Sequence, residues 1–206
     1  MREKGSLDAM GKFQHCMKRA FDIVGALIGL AICSPLFLVI SILITYQSNG
    51  PIFFRQIRIG YKGRPFAIFK FRTMSSIVEE EGPQLVAKCD SSNSTRLEQF
   101  LRGHHLDELP QLWNVLRGDM SFVGPRPERK YFIDKILRHT DRYQLIYEMK
   151  PGLTSEATLY NGYTDTMEKM LKRMEMDIHY LEHRTLWLDF TIIVKTVVNI
   201  LTGKKF

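Results

Sequence analysis

Residues 21–46 read FDIVGALIGLAICSPLFLVISILITY, with one charge, Asp22, at the start. No other stretch restricts the fold so strongly, because so long an apolar run needs lipid or a protein core around it. As a helix it would be about 39 Å long at roughly 1.5 Å per residue, against a hydrocarbon core of about 30 Å. Length therefore permits a span. Ser34-Pro35 interrupts the middle, however, and an interior proline removes a helix hydrogen bond and bends the chain. The halves, residues 21–33 and 35–46, are each only about 18–20 Å long, too short to cross alone. Both flanks are basic: Arg2, Lys4, Lys12, Lys18 and Arg19 precede the run, and Arg55, Arg58, Lys62 and Arg64 follow it. Positive flanks prefer the cytoplasmic side. The sequence thus predicts a re-entrant helix-break-helix hairpin, broken at Ser34 and Pro35, with a proline-kinked transmembrane helix as the alternative. A cleavable signal peptide fits poorly, since the run is long, begins late and lacks a small-residue cleavage pattern.

The remainder has the composition of a globular domain. The expected organisation is a basic flank over residues 1–20, the membrane hairpin over 21–46, and a compact domain over 47–206. With 206 residues, the chain is long enough for one sizeable core. Its net charge of +7 admits nucleic acid, anionic lipid or phosphorylated substrates as partners. The cations are scattered, without an aromatic-interleaved stripe or a base-reading motif. A membrane surface and a phosphate-bearing substrate therefore explain the charge better than nucleic acid. Cys16, Cys33 and Cys89 form no CxxC pair, which argues against disulfides and cysteine-rich zinc sites. His179 and His183 stand four apart, but without an HExxH pattern or a third ligand they read as a packed or solvated helix face.

Periodicity predicts a mostly helical α+β fold. Residues 51–74 read as two strands and a turn, and the polar stretch 75–94, with Glu79, Glu80 and Glu81, as a solvated loop or short helix. Leu97, Phe100 and Leu101 are helically spaced. Leu109, Leu112, Trp113 and Leu116 mark a helix over 108–117, with Asp107 as N-cap, Pro110 in the first turn and Gly118 as the stop. Gly124-Pro125-Arg126-Pro127 forms a stiff loop, and residues 127–150 and 166–184 read as helices. Residues 186–201 are apolar but contain Asp189 and Lys195. They suit an interfacial helix with Trp187 at headgroup level, or a buried core helix.

An adjacent acidic pair, Asp107-Glu108, is by itself an ordinary way to begin a helix. Its neighbours add a chemical possibility. Arg102 lies five residues upstream, and Arg126 is held between two prolines downstream. Carboxylates belong in a phosphate site when a divalent cation joins them, and magnesium is held by one or two carboxylates plus substrate phosphates. Acids, arginines and a helix terminus together suit diphosphate chemistry.

The run LDELPQLWNVLRGDMSFVGPRP, residues 106–127, resembles the signature of the bacterial monotopic phosphoglycosyl transferases, the polyprenyl-phosphate sugar-phosphate transferases. KRAFD at residues 18–22, the apolar run with its Ser-Pro, and QIRIGYKGRPFAIFKFRTM at 56–74 match the same family in order. The resemblance implies transfer of a phosphosugar from a UDP-sugar to undecaprenyl phosphate, with magnesium required and UMP released. It implies that Asp107 is the nucleophile of a covalent phosphosugar intermediate and that Glu108 holds magnesium or assists with protons. Arg102 and Arg126 would bind phosphates, and Lys70 would pair with the acids or the nucleotide. It also implies a re-entrant hairpin at Ser34-Pro35 and a catalytic domain on the cytoplasmic face of the inner membrane. One stretch departs from the family pattern: PGLTSEATLYNGY, residues 151–163, has Ser155 in place of a glycine and Tyr163 where arginine is common. Sugar preference is therefore not transferable. A non-catalytic membrane scaffold for glycan assembly is the alternative, and the intact acidic pair argues against it.

Overall fold

The computed structural model describes residues 7–47, 49–73, 95–161, 164 and 166–202. The expectations for residues 75–94, including Cys89, and for Met74 and Tyr163 fall outside these described residues.

Helix α1 (Lys12–Gln47) carries the whole apolar run. The expected division into two helices is corrected here: helical structure continues through Pro35 without interruption. Local chemistry explains how. Proline has no N–H to offer the carbonyl of Ala31, and the Ser34 hydroxyl donates to that oxygen instead at 2.8 Å. At 36 residues α1 is about 54 Å long along its path, and it is apolar enough to cross a membrane. Both halves touch the rest of the protein. In the first half, Gly25 and Gly29 bring the helix against Phe122 and Leu112. In the second, Ile40 and Ile44 are buried with Phe71 and Leu101. Much of the remaining surface stays exposed, as at Phe21, Ile32 and Val39.

The KRAFD motif does more than flank the run. Arg19 donates to the carbonyls of Val115 and Leu116 at 2.6 and 2.7 Å, and Lys18 pairs with Asp189 at 2.5 Å. Asp22, read from sequence as the one charge of the apolar run, is buried. It accepts from the Ser121 hydroxyl and the Phe122 amide, both at 3.0 Å.

The predicted hairpin is present: β1 (Phe53–Ile59) and β2 (Pro65–Phe71) pair antiparallel, from Phe53 opposite Phe71 to Ile59 opposite Pro65. Lys62 and Gly63 turn the chain with positive φ. Helix α2 (Arg96–Gly103) starts at Thr95, which forms a reciprocal capping box with Glu98. After a 3-10 turn, Leu106–Glu108, comes α3 (Gln111–Arg117), closed by Gly118 at φ 93°.

Residues 127–150 differ from the single helix expected. Pro125 and Pro127 keep the chain extended, and α4 (Lys130–Leu137) is followed by a separate 3-10 helix, Asp141–Glu148. Two short parallel strands, β3 (Ser121–Val123) and β4 (Gly152–Thr154), join regions that look unrelated in sequence. The chains approach closely there. A Cβ on Gly152 would lie 2.2 Å from the Gly124 amide nitrogen, so both positions depend on having no side chain. Helices α5 (Glu156–Asn161), α6 (Met167–His183) and α7 (Leu186–Leu201) complete the fold. Thr166 and Thr185 accept N-cap hydrogen bonds for the last two. The main core gathers α4, the 3-10 helix and α6, with Met170 and Met174 packed inside. Helix α7 is two-faced: Ile192 and Asp189 are buried, whereas Trp187, Phe190, Val194 and Val197 form an exposed stripe. The fold is α+β and mostly helical.

Candidate active site

The acidic pair does not begin a helix, contrary to the sequence expectation. Asp107 makes no cap bond; it lies inside the 3-10 turn, and Pro110 takes the N-cap position of α3. Among the described residues no helix N-terminus therefore faces the pair, and side chains supply the site's electrostatics. His105, at φ 55° and ψ 20°, puts the chain into the left-handed region just before the turn. That conformation is uncommon for a residue with a Cβ, though histidine adopts it more readily than most. The outcome is a buried Asp107, 6% exposed, beside the partly buried Glu108.

Asn114 fixes this turn against the hairpin. It is fully buried; its Oδ1 accepts from the Phe69 amide at 3.1 Å and its Nδ2 donates to the Ala67 carbonyl at 2.8 Å. Its side-chain amide thus serves the edge of β2 much as another strand would. Lys70, the next residue on that strand, reaches the acids: Nζ lies 2.6 Å from Glu108 Oε1 and 3.8 Å from Asp107 Oδ2. Arg126, from the loop beyond β3, places Nη2 3.3 Å from the same Glu108 oxygen. The structure therefore brings together Lys70, Asp107, Glu108 and Arg126. Arg102 lies in the last turn of α2, and among the described residues no ion pair joins it to either acid.

The two acids are held in different electrostatic states. Burial pushes the Asp107 carboxyl up to about 6; Glu108 adds to the shift, while Lys70 and Arg126 oppose it. Burial also acts to raise Glu108, but the charges of Lys70 and Arg126 and the Lys70 hydrogen bond outweigh it. They hold that carboxyl well below the usual range. Arg126 is in turn held protonated, chiefly by Glu108. Glu108 is thus a fixed anion with both contacts on Oε1, and Asp107 is the less engaged carboxylate.

Among the described residues no group of three or more His, Cys, Asp or Glu side chains is arranged to hold a metal. His179 and His183 stack at 4.2 Å between ring centroids and are exposed, in keeping with a helix face.

Residues 13–203 match the family model described as bacterial sugar transferase. The chain belongs to that family. Among curated bacterial sugar transferases and their relatives, it is 42% identical over 188 residues to the UDP-glucose:undecaprenyl-phosphate glucose-1-phosphate transferase of Caulobacter vibrioides, covering 90% of this chain and 70% of that protein. It is 39% identical over 187 residues to the UDP-N-acetylgalactosamine-undecaprenyl-phosphate N-acetylgalactosaminephosphotransferase of Aeromonas hydrophila, covering 91% and 44%. The similarly named glucose-1-phosphate transferase of Escherichia coli is 39% identical over 183 residues, covering 88% and 39%. The chain thus spans about two-fifths of the length of the last two proteins.

Sequence reasoning did not anticipate Asn114, His105 or the docking roles of Lys18, Arg19 and Asp22. Asn114 had one visible signal, as a polar residue within the apolar stripe of α3.

Proposed function

We propose that this bacterial sugar transferase moves a sugar phosphate from a UDP-sugar to undecaprenyl phosphate, releasing UMP and initiating assembly of a surface glycan. The observation that carries this reading is the divided acidic pair: one carboxylate clamped by two cations, the other buried and lightly held beside them. In the first step an Asp107 carboxylate oxygen attacks the phosphorus that bears the sugar. The bond from that phosphorus to the bridging oxygen breaks, and UMP leaves with the electron pair. In the second step an oxygen of undecaprenyl phosphate attacks the same phosphorus, forming the lipid diphosphate sugar and returning Asp107 as a carboxylate. Such covalent catalysis divides one difficult transfer into two easier ones. Arg126 and Lys70 offset the charge spread over the phosphoryl oxygens, and Arg102 would bind a phosphate as the resemblance implies.

Magnesium fits this site as a shared ligand. Two carboxylates are available, Glu108 is bound through Oε1 alone among the described residues, and substrate phosphates would supply further oxygens. Bound to Asp107 or Glu108, the ion would withdraw charge from the diphosphate.

We place the protein on the cytoplasmic face of the inner membrane, with α1 as a re-entrant element. Contact of both α1 halves with one domain supports this, because a helix that crossed would carry one half away. The exposed stripe of α7 would lie at the headgroups.

The test is UMP release by purified protein in nanodiscs, with magnesium, undecaprenyl phosphate and a panel of UDP-sugars. Sustained release is expected with at least one sugar and only when the lipid is present. No release from any UDP-sugar by folded, membrane-bound protein would overturn the reading and favour a scaffold.

A further inference from the structure

Behind Arg126 lies a second charged cluster that the proposed chemistry does not use directly. Its centre is Glu128, two residues beyond Arg126. Glu128 Oε1 lies 3.3 Å from Arg173 Nη1 on α6, and Oε2 lies 3.7 Å from Arg58 Nη1 on β1. Arg58 also donates to the Pro127 carbonyl at 3.2 Å and to Gln56 Oε1 at 2.6 Å. The Ile59 amide donates to the Glu128 carbonyl at 3.1 Å. The segment bearing Arg126 is thus held by β1 and by α6. The side chains of Arg58, Glu128 and Arg173 are 17, 16 and 10% exposed, so their charges are weakly screened. Burial pulls Arg58 down to about 10 even with Glu128 beside it, and it lowers Arg173 too.

This arrangement creates a competition. Glu128 attracts Arg126, as Glu108 does. Arg58 and Arg173 repel Arg126 while occupying both oxygens of Glu128. Asp177, one helical turn after Arg173, could compete for that guanidinium. Instead it is fully buried, its Oδ1 has no hydrogen-bond partner among the described residues, and burial pushes its carboxyl up to about 7. A carboxyl whose ionisation burial disfavours competes less strongly for Arg173, which pairs with Glu128. A cavity lined by Arg126, Glu128, Tyr143, Arg173 and Asp177 connects these groups. Buried ion pairs are a poor means of gaining stability alone, since desolvation offsets much of their attraction.

We infer that Arg173 is a positioning residue: by occupying Glu128 it keeps the Arg126 guanidinium on Glu108, in place for the donor diphosphate. This rests on the phosphate-binding role proposed above for Arg126. Without Arg173, Glu128 becomes the stronger attractor and draws Arg126 away from the site.

UDP binding with magnesium, measured by calorimetry on the full chain in nanodiscs, tests this without requiring turnover. Arg173→Met is expected to weaken UDP binding about tenfold, a difference of about 1.4 kcal/mol. Adding Glu128→Gln is expected to restore most of the loss, because the competing charge is gone; a merely structural role for Arg173 predicts further damage. Arg126→Ala combined with Arg173→Met should bind no more weakly than Arg126→Ala alone, the non-additivity of two residues acting as one unit. If Arg173→Met does not fold, Arg173→Gln is read through the same comparisons. Wild-type-like affinity in the Arg173 variant, additive losses with Arg126→Ala, or no rescue by Glu128→Gln would each overturn the inference. No UDP binding by the wild type would overturn the role of Arg126 as well.

Discussion

Asp107→Asn should make the protein more stable while abolishing turnover. The side chain keeps its shape, so the change acts almost wholly on charge. Burial lifts the Asp107 carboxyl from its ordinary 3.8 to about 6, with the opposing attraction of Lys70 already included. That difference corresponds to about 3 kcal/mol of unfavourable ionisation, at about 1.36 kcal/mol per pH unit. The side chain is 9% exposed, so solvent screening removes little of it. The folded pKa lies above the unfolded one. Between pH 3.8 and about 6 the folded protein therefore holds a proton that the unfolded chain has released. Wild-type stability falls as pH rises through that window, and the whole penalty is present above it. The advantage of asparagine should be greatest near pH 8, fall to roughly half at pH 5, and vanish below about pH 4. At about 2–4 °C per kcal/mol for a chain of this size, the gain in Tm at pH 8 is at most about 6–12 °C. Tryptophan fluorescence melts of both proteins in nanodiscs at pH 8 and pH 5 would read it. An Asp107→Asn protein no more stable than wild type at pH 8, or equally stabilised at both pH values, would show that Asp107 carries no such penalty.

Further outcomes follow from the same geometry. UMP release should rise with pH to a plateau above about 6, since Asp107 must be ionised to attack; a rate unchanged down to pH 5 would contradict this. Asn114→Ala leaves the Phe69 amide and Ala67 carbonyl without their buried partner, and should cost about 2–4 kcal/mol in denaturant melts. Ser34→Ala removes the donor to the Ala31 carbonyl and should lower Tm by a few degrees, and Ser34→Ala with Pro35→Ala should recover it by restoring the backbone bond. Cysteines introduced near residues 10 and 60 should react with an impermeant label from the same side of the membrane; opposite sides would mean a true span.

Elements with strong periodicity or turn chemistry were legible in the sequence. The β1–β2 hairpin, α6 and the Gly118 stop appear where alternation, helix formers and a glycine placed them. Failures came where tertiary contacts decide. A proline inside an apolar run reads as a break, yet α1 stays helical through it, with the Ser34 hydroxyl satisfying the Ala31 carbonyl. The strands β3 and β4 are three residues each and pair across a long separation, so no local pattern marks them. Asp107 has the residue type and position of an N-cap, and only the left-handed His105 and the docking of Asn114 on β2 turn it inward. Among the site residues, Lys70 takes the first of the two partners the resemblance offered, the acids, and Arg126, expected at phosphates, pairs with Glu108, while Arg102 makes no ion pair with either acid among the described residues. Cations read from sequence as membrane flanks, Lys18 and Arg19, are bound to protein groups instead, because α1 needs polar anchors where it meets α3 and β3.

The central claim is that Asp107 forms the bond to phosphorus. Incubating the protein with an accepted UDP-sugar and magnesium, without lipid acceptor, and mapping its peptides by mass spectrometry tests this directly. The account predicts a phosphosugar adduct on the peptide containing Asp107, discharged when undecaprenyl phosphate is added and absent from Asp107→Asn. Full turnover by Asp107→Asn, with no adduct on the wild-type peptide, would contradict it.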